Sequence, residues 1–369
     1  MSADWPGRLP APLVRGVQLS GQGQGLPRVD AVLRGLRRFR RLDAQPLSDG
    51  LSPQGARLAL DQAVAAISRE GLERALQAGA TRPARVGIVV ARGVFTSPLE
   101  WAALYAAAGS RVHLKAPSGA PEAALALAAC LAREGLPVSA GVDRDLRRSL
   151  DGEPDRVLAF GADPTVGDLA ASWPPGVVAA YGHRFGAAVV GGEADPLAVA
   201  ALARDHALYD TRGCMAPSLV LIVAPTLAEA EGRAERWGQE LARAMEQEQL
   251  LLPRGVVDPS LGPEWRRRLG LSRARGRLWQ GSAWAVTVLP LASAVPVALP
   301  RLAALHPLAE SDLGPLVRGW SPHLGSLAMD AAASVRHAGL VLQVPHRCRL
   351  GELQTPPFPR AHDGRPMLP

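Results

Sequence analysis

Short, nearly continuous apolar runs alternate with helix-forming segments along the first half of the chain. The apolar runs cover residues 85–95, 111–117, 136–142, 156–162 and 176–182. Strands that are apolar on both faces and separated by helices are typical of a parallel sheet covered by helices on both sides. The pattern therefore predicts an α/β fold, in which ligands bind outside the carboxyl ends of the strands.

The segments between these runs predict helices. Pro98 opens one helix, which Gly109 ends, and a longer helix is expected over residues 52–77. Further helices are expected over residues 28–42, over residues 121–134, in a basic turn after residue 142 and from Thr165.

The second half of the chain follows the same alternation. Asp195 and Pro196 have the residue types of an N-cap and a first helical position, for a helix that runs to Tyr209. An apolar strand is then expected over residues 218–225. The proline-dense end, residues 351–369, predicts a tail that wraps over the surface.

A capping box predicts a further helix in the second half of the chain. Thr226 and Glu229 have the spacing of such a box, at the start of an amphipathic helix over residues 227–249. Its apolar face is expected to consist of Leu227, Trp237, Leu241 and Met245.

The composition indicates a soluble globular protein of two domains. The chain has 369 residues, of which 47% are hydrophobic and 20% charged. Its first residues contain prolines and charges without an apolar run, so no secretory signal is expected. Three cysteines are too few for a disulfide framework, which favours a reducing cytoplasm.

One uncharged stretch is long enough to suggest a membrane span. No charged residue lies between Arg277 and Arg301, a length that could cross a bilayer, but three prolines divide it. A buried strand, WAVTVLPL, is therefore expected there instead of a membrane span.

The net charge of +7 comes from basic residues spread along the chain, without aromatic interleaving. It fits an anionic small ligand, and no nucleic-acid partner is expected.

The chain uses an unusual set of polar residues. It contains no asparagine, and Lys115 is the single lysine among 41 lysines and arginines. Such depletion indicates a coding bias against both residue types. A lysine that persists against this bias is a candidate for a functional role, with a solvated surface lysine as the alternative.

Cys214 lies in the segment YDTRGCMAP, between a predicted helix and an apolar strand. A cysteine attacks as its thiolate, which positive charge and exposed backbone N–H groups favour. Arg212 and the turn at Gly213 have the residue types to supply both. Cys214 is therefore a candidate nucleophile, with a small buried hydrophobic residue as the alternative.

The other cysteines and a glycine-rich segment carry weaker signals. Cys130 lies in the apolar run LALAACLA and is expected in the core. Cys348 neighbours His346, but no second Cys/His pair has the spacing of zinc ligands, so no metal site is expected. The GQGQG run at residues 21–25 lacks the third glycine of a phosphate loop, and a flexible lead-in is expected.

Five ordered blocks form a longer pattern between residue 85 and the C-terminus. They are GVFTSPLEWAALYAAAGSRVHLKAPSG, VLAFGADPTVGDL, YGHRFGAAVV, YDTRGCMAP and CRLGELQTPPFPRAHDGRPML. In this order they resemble the LuxC-type acyl-CoA reductases, a branch of the aldehyde dehydrogenase superfamily, and the last block is the most distinctive of that branch. The resemblance implies an aldehyde-dehydrogenase-like α/β fold and reduction of an acyl thioester to an aldehyde.

The resemblance also implies roles for individual residues. Cys214 matches the nucleophile that forms the acyl enzyme, and Lys115 matches the lysine that contacts the adenosine ribose or its 2′-phosphate. The loop and helix start that receive the pyrophosphate match Gly161, Thr165, Val166 and Gly167. A helix N-terminus suits phosphate because it offers free N–H groups; an ordinary turn glycine is the alternative for Gly161. NADPH, or else NADH, is the implied cofactor.

Two positions depart from the pattern of the superfamily. Its hydrolytic members activate water with a glutamate, and counting back 34 residues from Cys214 reaches Ala180 instead. The missing base argues for exchange of the acyl group with a thiol and against release of a free acid. The superfamily also stabilises the oxyanion with an asparagine side chain. Here Thr96 or Ser97, with the backbone N–H of Cys214, would donate instead.

Together these features predict a cofactor-binding domain over residues 1–182, a catalytic domain over residues 183–345 and a C-terminal tail over residues 346–369 that packs back near the site. The predicted reaction is reduction of acyl-CoA, or of a carrier-bound acyl group, with an acyl-transferring enzyme and further copies of the chain as candidate partners. Two alternatives stay open. One is a non-catalytic relative that binds nucleotide or a partner enzyme, and the other is aldehyde oxidation with His183 or His206 as the base.

Overall fold

Two β-sheets form the frame of the protein in a computed structural model, which describes residues 25–294, 296, 298–339 and 344–369. Most of the GQGQG run, residues 21–24, lies outside the described residues. Both sheets have helices on their faces, and the α/β fold expected from the sequence is confirmed.

The first sheet has five parallel strands in the order β3-β2-β1-β4-β5. They are β1 (Arg85–Val89), β2 (Arg111–Lys115), β3 (Val138–Gly141), β4 (Arg156–Phe160) and β5 (Val178–Tyr181). Lys115 lies opposite Val89 on one side and Gly141 on the other. The carboxyl ends of β1, β2 and β3 therefore lie side by side.

The described part of this half, residues 25–182, contains seven helices. They are α1 (Gly25–Arg40), α2 (Pro53–Ala66), α3 (Arg69–Ala78), α4 (Leu99–Ala108), α5 (Glu122–Ala132), α6 (Leu146–Ser149) and α7 (Asp163–Ala171). The single helix expected over residues 52–77 is wrong, because the chain breaks between α2 and α3. Ile67 is extended there, and the Ser68 side chain accepts the Gly71 N–H at 3.0 Å to start α3.

The second sheet has seven described strands in the order β12-β11-β6-β7-β10-β9-β8, and among these only β8 is antiparallel to its neighbour. The strands are β6 (Phe185–Val190), β7 (Pro217–Ala224), β8 (Arg277–Gln280), β9 (Ala285–Val288), β10 (Leu302–Ala309), β11 (Leu324–Met329) and β12 (His346–Arg349). The first sheet ends at Tyr181 and the second begins at Phe185. The domain limits predicted from the sequence stay a prediction.

The second sheet is flanked by α8 (Pro196–Ala207), α9 (Leu227–Leu251), α10 (Gly262–Arg275), α11 (Glu310–Trp320) and α12 (Ala331–Arg336), with short 3-10 helices at Leu208–Thr211, Pro259–Leu261 and Leu291–Ser293. The Asp195 cap of α8 and the Thr226–Glu229 capping box of α9 are both present. Among the described helices, none has the length and apolar character to cross a membrane.

The apolar face of α9 is confirmed for three of its four expected residues. Trp237, Leu241 and Met245 are buried, but Leu227 is half exposed. The buried face begins one turn later than expected, at Ala230. In the uncharged stretch before Arg301, strand β9 is fully buried, as expected for WAVTVLPL.

The tail packs against both halves of the protein. Leu350 and Leu353 join the core of the second sheet, whereas Phe358, Met367 and Leu368 join that of the first. The buried Asp205 carboxylate accepts the N–H groups of Gly351 at 2.6 Å and of Leu353 at 3.1 Å. At the far end, the Thr81 N–H donates to the Pro369 carbonyl at 2.8 Å.

A turn of unusual conformation precedes Cys214. Tyr209, Asp210 and Thr211 have φ values of 58°, 50° and 59°, a left-handed region that residues other than glycine rarely adopt. Each such residue costs about 1–3 kcal/mol. Surrounding contacts must therefore stabilise the turn.

Arg301 makes several of these contacts. Its Nε donates to Asp210 at 2.7 Å, in an ion pair whose side chains are both 2% exposed. Its other guanidinium nitrogens donate to the Gln249 side chain and to the Ala207 carbonyl. Its backbone N–H donates to the Thr211 hydroxyl at 3.2 Å. The turn is thus connected to the residue that precedes β10.

Replacing Arg301 with methionine should destabilise the protein. The change removes the ion-pair partner at 2.7 Å from the buried Asp210 carboxylate, which keeps the Gly255 N–H as a donor, a loss of about 3–5 kcal/mol. The free energy of unfolding from urea titrations measures it. Arg236→Met, which breaks an exposed pair with Glu193, should cost no more than about 1 kcal/mol. Equal stabilities for the two variants would show that the turn does not depend on Arg301.

Candidate active site

A cavity of about 550 Å³ lies at the carboxyl ends of β4 and β5. Its walls come from α2, the segment after β1, the loops after β4 and β5, the turn at Cys214 and the tail. Residues expected from the sequence to act together meet here: Thr96, Gly161, Thr165 and Cys214. The cavity is therefore the candidate active site.

Cys214 is an exposed residue that lines the cavity. Its sulfur is nevertheless surrounded by protein atoms. This burial raises the pKa of its thiol, and the negative charge of Asp363 raises it further. Arg360, the residue's own backbone N–H and Arg184 lower the pKa. The charges nearest to the sulfur thus come from the tail and from the loop after β5.

Arg212 lines the cavity with Cys214, and backbone carbonyls hold its guanidinium. The Arg212 guanidinium donates to the backbone carbonyls of Asp49 and Val256, at 2.5 and 2.6 Å. Gly213 does form the expected turn, whose carbonyl accepts the Ala216 N–H at 3.0 Å. A Cβ at Gly213 would lie 3.2 Å from Val94. The close packing favours glycine.

Thr96 is buried at the cavity wall and has a tyrosine partner. Its Oγ1 lies 2.7 Å from the Tyr209 hydroxyl, which also lies 3.5 Å from the Ala59 carbonyl. Burial raises the pKa of Tyr209 to about 12, so the phenol keeps its proton at neutral pH. When the phenol donates to Thr96, the Thr96 proton is free to bond a ligand oxygen. Ser97 also lines the cavity.

Two ion pairs bring four charged side chains to the wall. Arg360 pairs with Glu100, and Arg184 Nε lies 3.4 Å from an Asp363 oxygen. All four residues line the cavity. Two of them, Arg360 and Asp363, belong to the tail block RAHDG.

His362 lies between the tail charges and an aromatic cluster. Its ring stands edge-on to Tyr181, with centroids 4.8 Å apart, and also contacts Trp101 and Phe160. Burial, then Arg360, lowers the pKa of His362 to about 4, so the ring is neutral at pH 7. Arg360 lies 3.2 Å from Nδ1 and can only donate. Nδ1 is therefore the acceptor, and Nε2 carries the proton.

The other three residues that were predicted to bind the cofactor do not line the cavity. Val166 is buried, Gly167 faces open space and Lys115 lies at the carboxyl end of β2. Burial, then the charge of Arg144, lowers the pKa of Lys115. Arg144 follows β3, the neighbour of β2. Two cations therefore lie together at this edge of the sheet.

A nicotinamide dinucleotide fits this arrangement. Gly161 and Thr165 line the cavity at the start of α7, where backbone N–H groups can reach a pyrophosphate. Lys115 and Arg144 lie at the carboxyl ends of β2 and β3, the edge of the sheet at which ligands of such folds bind. The Asp163 carboxylate, also at the start of α7, accepts the His183 N–H at 2.6 Å.

His183 and His206, the two candidates for the base in place of the missing glutamate, lie in different parts of the structure. His183 lines the cavity, but His206 is fully buried away from it, with a pKa that burial lowers to about 3. At Ala180 the carbonyl accepts a hydrogen bond from Arg365 of the tail at 3.2 Å. Among the described residues, no group of three or more potential ligands could bind a metal ion.

Several site residues were not identified from the sequence. Tyr209 was expected only as the end of a helix, and the resemblance implied no roles for Arg360, His362 and Asp363, yet all four residues line the cavity. The one available signal was the cluster of arginine, histidine and aspartate in RAHDG, within the tail block that the resemblance already included.

Comparisons with solved structures agree on the fold. An oxidoreductase from Marinobacter aquaeolei aligns with a TM-score of 0.72 and 15% identity, covering 94% of this chain and 81% of that one. A NAD-dependent benzaldehyde dehydrogenase from Corynebacterium glutamicum aligns with a TM-score of 0.68 and 16% identity, covering 89% and 80%. For glyceraldehyde-3-phosphate dehydrogenase GapN from Methanocaldococcus jannaschii, complexed with NADP, the TM-score is 0.64 and the identity 13%, covering 89% and 81%.

Sequence comparisons give the family. No curated protein matches the chain. The family profile described as acyl-CoA reductase (LuxC) matches residues 136–368, which is more than half of the chain and includes both the Cys214 turn and the tail. The chain therefore belongs to the LuxC family of acyl-CoA reductases.

Proposed function

We propose that the protein reduces an acyl thioester to an aldehyde through an acyl enzyme on Cys214, with NADPH as the preferred cofactor. The observation that carries the proposal is the position of the sulfur. Of the three cysteines, Cys214 alone lines the cavity, together with Gly161 and Thr165 at the start of α7. The nucleophile and the expected cofactor contacts thus share one space.

In the first step the acyl group moves from the carrier thiol to the protein. The Cys214 sulfur attacks the thioester carbonyl, the bond to the carrier sulfur breaks, and the thiol proton leaves with the carrier thiol. Negative charge develops on the carbonyl oxygen during the attack. Thr96 Oγ1 and the backbone N–H of Cys214 donate hydrogen bonds to it.

In the second step the acyl enzyme is reduced. Gly161 and Thr165 would hold a nicotinamide cofactor, which would supply the hydride for the acyl carbon. The same two donors stabilise the oxyanion that forms, and the bond from carbon to the Cys214 sulfur then breaks to release the aldehyde. The sulfur leaves as a thiolate and regains a proton from solvent. Ala180, in the place of the glutamate used by hydrolytic relatives, supports reduction over release of a free acid.

The preference for NADPH is supported by the two cations at the carboxyl ends of β2 and β3. Lys115 and Arg144 act on each other electrostatically, and like charges placed together favour a ligand with additional negative charge. The 2′-phosphate of NADPH has that charge, whereas the ribose of NADH does not.

A non-catalytic relative that binds nucleotide or a partner enzyme is the second candidate. The absence of asparagine from the chain favours it, because the usual oxyanion donor is missing. The hydrogen-bonded pair Thr96–Tyr209 supports the enzyme, since it offers a substitute donor.

Cys214→Ser should fold normally and fail to form the acyl enzyme, because an alcohol attacks the thioester far more slowly than a thiolate. Incubation with isotope-labelled acyl-CoA followed by intact-protein mass spectrometry measures the adduct. Cys348→Ser, whose side chain lies outside the cavity wall, should retain the label. Label that persists on Cys214→Ser would remove Cys214 from its role.

Thr96→Val should lower kcat by about 100-fold, the usual effect of losing one oxyanion donor. Thr96→Ser keeps the hydroxyl and should retain most of the activity, and steady-state assays of aldehyde formation compare the two. Ser97→Ala identifies the rival donor. If that variant loses activity while Thr96→Val does not, Ser97 is the donor.

Lys115→Ala and Arg144→Ala should each weaken NADPH binding by about tenfold, as expected for loss of a charged hydrogen bond. Arg144→Ala should leave NADH binding nearly unchanged, because NADH has no 2′-phosphate. Quenching of tryptophan fluorescence gives both affinities without turnover. Arg111→Ala, at the opposite end of β2, is the control. Equal NADPH affinities in all three variants would contradict the assignment.

A further inference from the structure

Tyr209 reaches the candidate oxyanion donor from the left-handed turn that precedes Cys214. Its ring is buried and packs against Phe95, with ring centroids 6.4 Å apart. Its hydroxyl lies 2.7 Å from Thr96 Oγ1 and 3.5 Å from the carbonyl of Ala59 on α2. The phenol oxygen is therefore fixed between α2 and the segment after β1, at the wall of the cavity.

The 2.7 Å contact between the two hydroxyls can run in either direction, because each hydroxyl carries one proton. If Thr96 donates, the Tyr209 proton is left with the Ala59 carbonyl, at a distance beyond the usual range of O–H···O hydrogen bonds. If Tyr209 donates, it makes the short bond and leaves the Thr96 proton without a partner in the protein. A phenol is also a stronger acid than an alcohol and hence the better donor. The geometry thus favours donation from Tyr209 to Thr96.

The Thr96 hydroxyl is left to bond a ligand in the cavity. Within residues 25–294, 296, 298–339 and 344–369, Tyr209 is the one hydrogen-bond partner found for the Thr96 side chain. The phenol stays protonated at neutral pH, because burial raises its pKa to about 12. A hydroxyl that accepts one hydrogen bond is polarised and becomes a stronger donor for the next.

We propose that Tyr209 is a positioning residue, which donates to Thr96 and thereby fixes Thr96 as the hydrogen-bond donor to the oxyanion. This role rests on the proposed function. A threonine hydroxyl rotates and can accept as well as donate, whereas a side-chain amide has N–H donors in a fixed geometry. In a chain without asparagine, Tyr209 supplies the direction that an amide would have by itself. Tyr209 keeps its proton through both steps of the reaction.

Tyr209→Phe should lower kcat by about tenfold, as expected for loss of one neutral hydrogen bond. KM should change little, because the donor acts on the oxyanion more than on the bound thioester. Steady-state assays of aldehyde formation measure both constants. Ser110→Ala is the control, since it removes a buried hydroxyl that donates to the Pro83 carbonyl at 2.6 Å outside the cavity wall. It should keep the parent kcat.

The double variant Thr96→Val/Tyr209→Phe gives a readout that a merely structural role would not give. If Tyr209 acts through Thr96, its hydroxyl contributes nothing once the Thr96 hydroxyl is gone. The double variant should then be as slow as Thr96→Val alone, about 100-fold below the parent. Independent roles would multiply to a loss of about 1000-fold, and that result would overturn the inference.

The carbonyl of the acyl enzyme reports the same hydrogen bond without turnover. Incubation without a nicotinamide cofactor, with acyl-CoA that carries a heavy carbon isotope at the carbonyl, accumulates the acyl enzyme. Isotope-difference infrared spectroscopy then gives the stretching frequency of this carbonyl, which a hydrogen bond lowers. The band should lie higher in Tyr209→Phe than in the parent, as it should in Thr96→Val. An unshifted band in Tyr209→Phe would contradict the role.

The outcomes separate this inference from the proposed function. If the parent protein forms neither acyl enzyme nor aldehyde, the proposed function fails and the inference with it. If the parent is active and Thr96→Val is equally active, the role of Tyr209 fails while acyl transfer to Cys214 stands. If Thr96→Val is slow and Tyr209→Phe keeps the parent kcat, only the inference fails.

Discussion

The buried ion pair between Asp210 and Arg301 is the contact on which the site depends. It stabilises three successive left-handed residues between α8 and Cys214, a conformation that the turn would not adopt alone. That conformation directs Tyr209 toward Thr96, on the segment after β1, and leaves Cys214 at the cavity wall. One ion pair in the second half of the chain thus sets the geometry between the nucleophile and a donor from the first half.

The tail is the second element that joins the two halves. Asp205 on α8 accepts two of its N–H groups, and Tyr105 on α4 donates to the Met367 carbonyl at 3.0 Å. Between these anchors the tail contributes Arg360, His362 and Asp363 to the cavity wall. A segment that would pass for a surface extension therefore supplies a large share of the charge around the sulfur.

The sequence predicts those features that depend on neighbouring residues. Apolar runs indicated the strands, the Asp195 and Thr226 caps indicated helix starts, and Cys214 was identified by its own segment. The contacts that build the site join residues far apart: 91 positions for Asp210 and Arg301, 113 for Thr96 and Tyr209, and 260 for Glu100 and Arg360. Such pairs leave no local pattern, because each partner alone resembles an ordinary polar residue.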